Sequence, residues 1–132
     1  MKILYYLSIF VFFTTAFSCS SGKKAYESGN YAEAVLKSVN RLRKNPDHKK
    51  SKETLRKSYP LAIENLERSA SEKLASLSPT KYTDALRTYE DINYLGEEIR
   101  RSPGALSVIP NPKSYKAKVE ELKQLAAKEN YD

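Results

Sequence analysis

The stretch "NYAEAVLKSVNRLRKNP", residues 30–46, decides the fold class. Its apolar and small residues recur at helical spacing and fall on one stripe: Tyr31, Ala34, Val35, Ser38, Val39 and Leu42. Asn30 followed three residues later by Glu33 is typical of a capping box. Basic residues followed by Asn45 and Pro46 are typical of a helix end. The stretch therefore predicts an amphipathic helix.

The same spacing continues through the next segment, residues 48–77. Its stripe consists of Leu55, Tyr59, Ala62, Ile63, Leu66, Ala70, Leu74 and Leu77. Pro60 lies inside this stripe, and an interior proline removes a helical hydrogen bond. The pattern predicts either one kinked helix or two abutting helices.

Two further helices are predicted, each from a residue that favours an N-cap followed by proline. Ser78-Pro79 predicts the start of a helix that ends near residues 100–104, and Asn111-Pro112 predicts the start of the last one. The inward residues of the first are Tyr82, Ala85, Leu86, Tyr89, Ile92 and Ile99, and those of the second are Tyr115, Val119, Leu122 and Ala126. No segment alternates with a period of two, so the fold class is predicted to be all-α.

The connection "SPGALSVIPNP", residues 102–112, carries apolar residues between its prolines. These are Leu106, Val108 and Ile109. A loop with three large apolar side chains is expected to lie against the helices instead of extending into solvent.

The N-terminus has the features of an export signal. Lys2 precedes the apolar run "ILYYLSIFVFF", residues 3–13, which is too short for a bilayer span of about 20 residues but suits a signal peptide of ~7–15 apolar residues. Ser18 and Cys19 follow shortly after, and Cys19 is the only cysteine of the chain. We expect residues 1–18 to be removed and residues 19–132 to form one basic domain.

A small residue directly before a cysteine resembles the lipobox of bacterial lipoproteins, here of the Bacteroidota type. The resemblance implies cleavage after Ser18 and lipidation of Cys19 with diacylglycerol and an acyl chain such as palmitate. Ser20, a non-acidic residue after the cysteine, implies an outer-membrane location, and the absence of an acidic run implies the periplasmic leaflet. The alternative is an incidental thiol in an ordinary signal peptide.

Residues 28–48 also resemble the second half of a tetratricopeptide repeat. Gly29 and Asn30 match its turn, Tyr31 the aromatic position, Ala34 the small position and Pro46 the terminal proline. A fainter copy, "TKYTDALRTYEDI", begins at residue 80, so the resemblance covers roughly residues 22–101. It implies antiparallel helical hairpins and a scaffold or adaptor that binds another envelope protein or a second copy of itself. A generic helical bundle is the alternative.

Catalytic residues are scarce in this sequence. His48 is the only histidine, and it lies in a Lys-rich turn where we expect it to be solvated. The pairs Glu97-Glu98 and Glu120-Glu121 are adjacent in helices and point in different directions. The sequence thus predicts no enzyme, no catalytic residue, no metal site and no cofactor.

Positive charge is concentrated between residues 37 and 57, where nine Lys or Arg residues face two acids. Within this region an anion-binding site is predicted at Arg41, Arg43, Lys44, Lys49, Lys50 and Lys52. The alternative function is therefore binding of anionic envelope lipid or polymer, and nucleic acid is excluded by compartment if Cys19 is lipidated. A solvated face that only confers solubility is the simpler interpretation.

The last helix carries the residues expected to bind a protein partner: Tyr115, Val119, Leu122 and Leu125. Stacked helical repeats bury their faces against neighbours and usually end in a polar capping helix. Because this helix keeps an apolar face, we expect part of that face to be left for a partner helix, or the chain to be a shortened relative of a longer lipoprotein.

Overall fold

The computed structural model describes residues 22–131, and this part of the chain is helical with no strand. The helices are α1 Lys23–Glu27, α2 Tyr31–Lys44, α3 Lys49–Ala75, α4 Lys81–Arg100, α5 Pro103–Leu106 and α6 Lys116–Glu129. The all-α prediction is confirmed. The predicted signal peptide and Cys19 lie outside the described residues.

The long helices pack in chain order. α2 packs on α3, α3 on α4 and α4 on α6, while α1 covers one side of α2 and α3. The four-residue α5 contacts α2, α3 and α4. Among the described helices α6 contacts α4, whereas α1 contacts α2 and α3, so α1 and α6 do not touch each other.

The core is built from the predicted stripes. Its buried members are Val35, Val39, Leu42, Leu55, Tyr59, Ala62, Ile63, Ile92, Leu95, Ile99 and Ala105. Leu106, Val108 and Ile109 pack against this cluster, which confirms the expected position of the loop. All of these residues follow residue 19, so the part of the chain after residue 19 contains every core residue that the structure describes.

The end of α3 departs from its predicted stripe. The helix is continuous from Lys49 to Ala75 through Pro60, so the alternative of two abutting helices is wrong. Ser76 caps the helix in an extended conformation. Leu77 therefore falls outside the helical period, and its side chain is fully exposed at 103% instead of inward.

The predicted helix starts are less accurate than the helices. Asn30 is the N-cap of α2, but its side chain makes no capping hydrogen bond, and Glu33 instead pairs with Lys37 at 2.9 Å. α4 begins after Thr80, two residues later than predicted from Ser78-Pro79.

Glu129, at the end of α6, caps α4 in place of a local side chain. Its carboxylate accepts hydrogen bonds from the backbone N–H groups of Tyr82 at 2.7 Å and Thr83 at 3.0 Å, and from the Thr83 hydroxyl at 2.8 Å. These two N–H groups belong to the first turn of α4, which has no intrahelical acceptor for them. A residue 46 positions away thus performs the role that the local sequence assigned to Ser78.

The start of α6 is delayed to Lys116 by tertiary hydrogen bonds. The Lys113 N–H donates to the Tyr59 hydroxyl at 2.8 Å, and the Tyr115 N–H donates to Asn93 Oδ1 at 2.6 Å. These bonds hold residues 112–115 outside the helix, so the helix start predicted at Asn111-Pro112 is wrong.

Candidate functional site

A cleft between α1 and α3 is lined by basic side chains from both helices. Its volume is about 290 Å³, and its lining residues are Lys23, Tyr26, Glu27, Lys50, Glu53, Thr54 and Lys57. A second, wider cleft of about 460 Å³ continues along α3 and shares Glu53 and Lys57 with the first. Its other lining residues are Lys49, Lys52 and Arg56.

We name these basic side chains together the basic face. It consists of Lys23, Lys49, Lys50, Lys52, Arg56 and Lys57. The carboxylates that line the same two clefts are Glu27 and Glu53. The basic face therefore has a clear excess of positive charge.

The helical period of α3 produces this face. Ser51, Thr54, Leu55 and Ser58 are buried towards the core, so the positions between them point outwards. The outward positions of this segment are the ones occupied by Lys49, Lys50, Lys52, Glu53, Arg56 and Lys57. No acidic residue occupies the first turn of α3, where the helix dipole adds further positive potential.

His48 fixes the start of α3. Its side chain accepts a hydrogen bond from the Ser51 N–H at 3.2 Å and lies 2.7 Å from the Ser51 hydroxyl. The residue lies in the turn, as predicted, but it is partly buried and acts as the N-cap instead of being freely solvated. This cap defines which residues of the Lys-rich segment belong to the first turn.

Ion pairs neutralise only part of the basic face. Glu53 accepts a hydrogen bond from Lys57 at 2.8 Å; this bond lowers the pKa of Glu53 and raises the pKa of Lys57. Lys52 lies 3.9 Å from Asp47. Within residues 22–131 the ammonium groups of Lys49 and Lys50 have no ion pair, and both residues are exposed. Positive charge is therefore available to a ligand at the start of α3.

The predicted anion-binding residues separate into two groups. Lys49, Lys50 and Lys52 line the clefts, whereas Arg41, Arg43 and Lys44 do not. The Arg43 guanidinium binds the carboxylate of Glu98 on α4, so its charge is directed to another part of the surface. Arg41 is partly buried, and its Nε has no hydrogen-bond partner among the described residues. Lys44 is exposed at the end of α2.

Sequence analysis missed the contribution of α1. Lys23 and Tyr26 line the first cleft from this five-residue helix, and the Tyr26 ring packs against Tyr31 at a centroid distance of 5.7 Å. The basic dipeptide Lys23-Lys24 was visible in the sequence. Its proximity to α3 depends on the packing of α1, which no local pattern predicts.

The residues expected to bind a protein partner lie mostly within the bundle. Leu122 is fully buried, and Val119 is only 7% exposed on the side of α6 that packs on α4. The Tyr115 hydroxyl donates to Glu67, and the Tyr115 ring packs against Tyr89 at 5.0 Å. Val119 and Leu122 thus belong to the domain's own packing. A partner site on α6 stays a prediction. Leu125, which is only partly buried, is the one of the four residues for which no contact within the bundle has been described above.

In the described part of the chain, no group of three or more histidine, cysteine or acidic residues is placed to hold a metal ion. No described helix is long and apolar enough to cross a bilayer. No protein-family model, curated protein or solved structure matches the chain.

Proposed function

We propose that the chain is a lipid-anchored protein of the bacterial envelope whose basic face binds anionic lipid headgroups. The observation that carries the proposal is the convergence of six basic side chains from α1 and α3 on two joined clefts lined by two carboxylates. The proposed anchor is the lipid on Cys19, and the proposed location is the periplasmic leaflet of the outer membrane.

The chemistry of the basic face suits phosphate-bearing lipid. Lysine ammonium groups on flexible stems bind phosphate as mobile point charges, without requiring one fixed geometry. Each Lys or Arg held near an anionic membrane surface contributes about 1 kcal/mol of attraction. The second cleft is lined by residues of α3 alone, which favours contact with an extended charged surface over enclosure of a small ligand.

A second candidate function is the scaffold or adaptor implied by the tetratricopeptide resemblance. One observation favours it: large apolar side chains are exposed where α3 meets α4. Leu77 is fully exposed there, and Tyr131, which is 91% exposed, follows Glu129 at the same end of the bundle. An envelope protein or a second copy of this chain is the proposed partner, and the tetratricopeptide assignment itself remains a proposal.

Co-sedimentation with vesicles tests the lipid-binding function. The chain from residue 20 to residue 132 contains every core residue that the structure describes and lacks the thiol, so its binding reports the domain without an anchor. We expect it to bind vesicles that contain anionic phospholipid, and to lose that binding when the salt concentration is raised. Exposed charges are screened over about 10 Å at 0.1 M salt and about 3 Å at 1 M, which is why the loss should be steep.

Three results separate the alternatives. Binding that is equal on zwitterionic and anionic vesicles would contradict the proposal. Binding to an anionic phosphate polymer but not to anionic vesicles would replace lipid by polymer as the ligand. Capture of an envelope protein that persists at high salt and is lost in Leu77→Ser would support the adaptor function.

A further inference from the structure

We infer that the basic face lies against the same membrane that holds the lipid anchor, so that the domain is oriented on that membrane instead of rotating freely. The inference rests on the proposed function and adds a geometry to it. Three features support this orientation: the short length of chain after Cys19, the fixed position of Gly22, and the location of the basic face relative to both.

The chain between the proposed anchor and the folded domain is short. Cys19 and Gly22 are three residues apart in the sequence. Three peptide units reach at most about 11 Å, even when fully extended. The first described residue must therefore lie close to the headgroup region whenever the anchor is inserted.

Gly22 is fixed to the body of the domain. It is buried and has φ of 82°, a conformation that favours glycine. A Cβ atom added at Gly22 would lie 2.6 Å from the carbonyl oxygen of Ala34 on α2. Ala25, one turn later, is also buried. This close packing leaves no flexible segment between residue 22 and the bundle, so the short tether acts on the domain itself.

The tether leaves the domain at the edge of the basic face. Lys23, the residue after Gly22, lines the first cleft together with Lys50 and Lys57. The distal end of α3 at Ala75 is 25 residues beyond Lys50, which corresponds to about 38 Å along the helix. α6 packs on α4 and makes no contact with α1. An inserted anchor thus brings the basic face to the membrane surface, because Lys23 belongs both to this face and to the residues next to the tether.

Lipid and basic charge then act as two signals on one membrane. The proposed anchor at Cys19 has more than one acyl chain and is stable by itself, so the basic face beside it contributes orientation more than retention. Because the anchor already confines the domain, each headgroup contact is intramolecular and needs no further loss of translational freedom. The orientation should therefore persist at salt concentrations that release the unanchored domain.

Lysine footprinting tests the orientation. The chain 19–132 is coupled through its single thiol to a maleimide-bearing lipid in vesicles, which supplies an anchor at Cys19 whatever modification the cell makes. Lysine side chains are then acetylated with a water-soluble reagent and quantified by mass spectrometry. We expect Lys49 and Lys50 to react about fivefold more slowly on anionic than on zwitterionic vesicles, the effect of one surface contact per side chain. Lys116 and Lys123 on α6 are the internal controls and should react equally on both.

The outcomes distinguish the inference from the proposed function. If Lys49 and Lys50 react equally fast on anionic and zwitterionic vesicles, while the unanchored domain still binds anionic vesicles, the orientation is overturned and lipid binding is retained. Protection of the α6 lysines instead would show the opposite orientation and also overturn it. Failure of the unanchored form to bind any anionic vesicle would remove the proposed function itself.

Discussion

Replacing Gly96 by alanine tests the packing of the segment that precedes α6. Gly96 lies inside α4, where alanine is favoured over glycine by about 1 kcal/mol, so helix propensity alone predicts that Gly96→Ala stabilises the protein. The tertiary structure predicts the opposite sign. A Cβ atom at this position would lie 2.8 Å from the backbone carbonyl oxygen of Lys113.

The segment that would have to move is held firmly. The Lys113 N–H donates to the Tyr59 hydroxyl at 2.8 Å, and Arg100 donates to the Pro112 carbonyl at 2.8 Å. Overpacking costs about 1–3 kcal/mol, and weakening two hydrogen bonds costs about 1 kcal/mol each. Subtracting the gain of about 1 kcal/mol in helix propensity leaves a net destabilisation of about 2–4 kcal/mol.

Urea unfolding followed by circular dichroism measures the effect. Gly29→Ala is a comparison variant with a different source of strain, because Gly29 has φ of 82° and, apart from its chain neighbours, nothing within 4 Å of an added Cβ. There the cost is that of the left-handed conformation alone, about 1–2 kcal/mol. A Gly96→Ala variant more stable than the wild type would refute the close approach of residues 112–113 to α4.

The remaining predictions concern α6 and the anchor. In urea unfolding, Leu122→Ala should lower the free energy of unfolding by about 2–5 kcal/mol, whereas Leu77→Ala should change it by less than about 0.5 kcal/mol. Equal effects of the two substitutions would contradict the burial of Leu122. Burial alone would raise the pKa of Glu129, but hydrogen bonds from Tyr82 and Thr83 lower it below its ordinary value of 4.5. The stabilisation by Glu129 is therefore present above pH 4.5 and lost as the pH falls through the lower pKa of the folded state. Glu129→Gln should lower the free energy of unfolding at pH 7, and in acid the free energies of variant and wild type should become equal. Cys19→Ala should abolish metabolic labelling with a palmitate analogue and membrane retention, and undiminished labelling would exclude lipidation at this residue.

The helices were predictable because their stripes are periodic. The stripe from Ala34 to Leu42 became the buried side of α2 as predicted. The helix ends were less predictable. Glu129 accepts the hydrogen bonds of the first turn of α4, and Tyr59 and Asn93 delay the start of α6. Such long-range bonds leave no local signal.

The candidate site was predictable in its charge but not in its boundaries. The run from Lys49 to Lys57 marked α3 as basic, and the phase of the buried residues Ser51 and Leu55 directs those side chains outwards. Which helices contribute to the clefts depends on packing. α1 adds Lys23, whereas the Arg43 guanidinium binds Glu98 and does not line the clefts. The apolar face of α6 was visible, but the sequence could not show that α4 covers it.

Two charge-matched variants test the central claim, that the basic face binds anionic membrane. One carries Lys49→Gln, Lys50→Gln and Arg56→Gln, and the other carries Lys116→Gln, Lys123→Gln and Lys128→Gln on α6. Both lose three positive charges, and only the first loses them from the clefts. In chains 20–132 at low salt, the first variant should bind anionic vesicles about 100-fold more weakly than the wild type, from about 1 kcal/mol for each charge, and the second should bind nearly as well as the wild type. Equal losses in the two variants would show that only net charge matters and would contradict the claim.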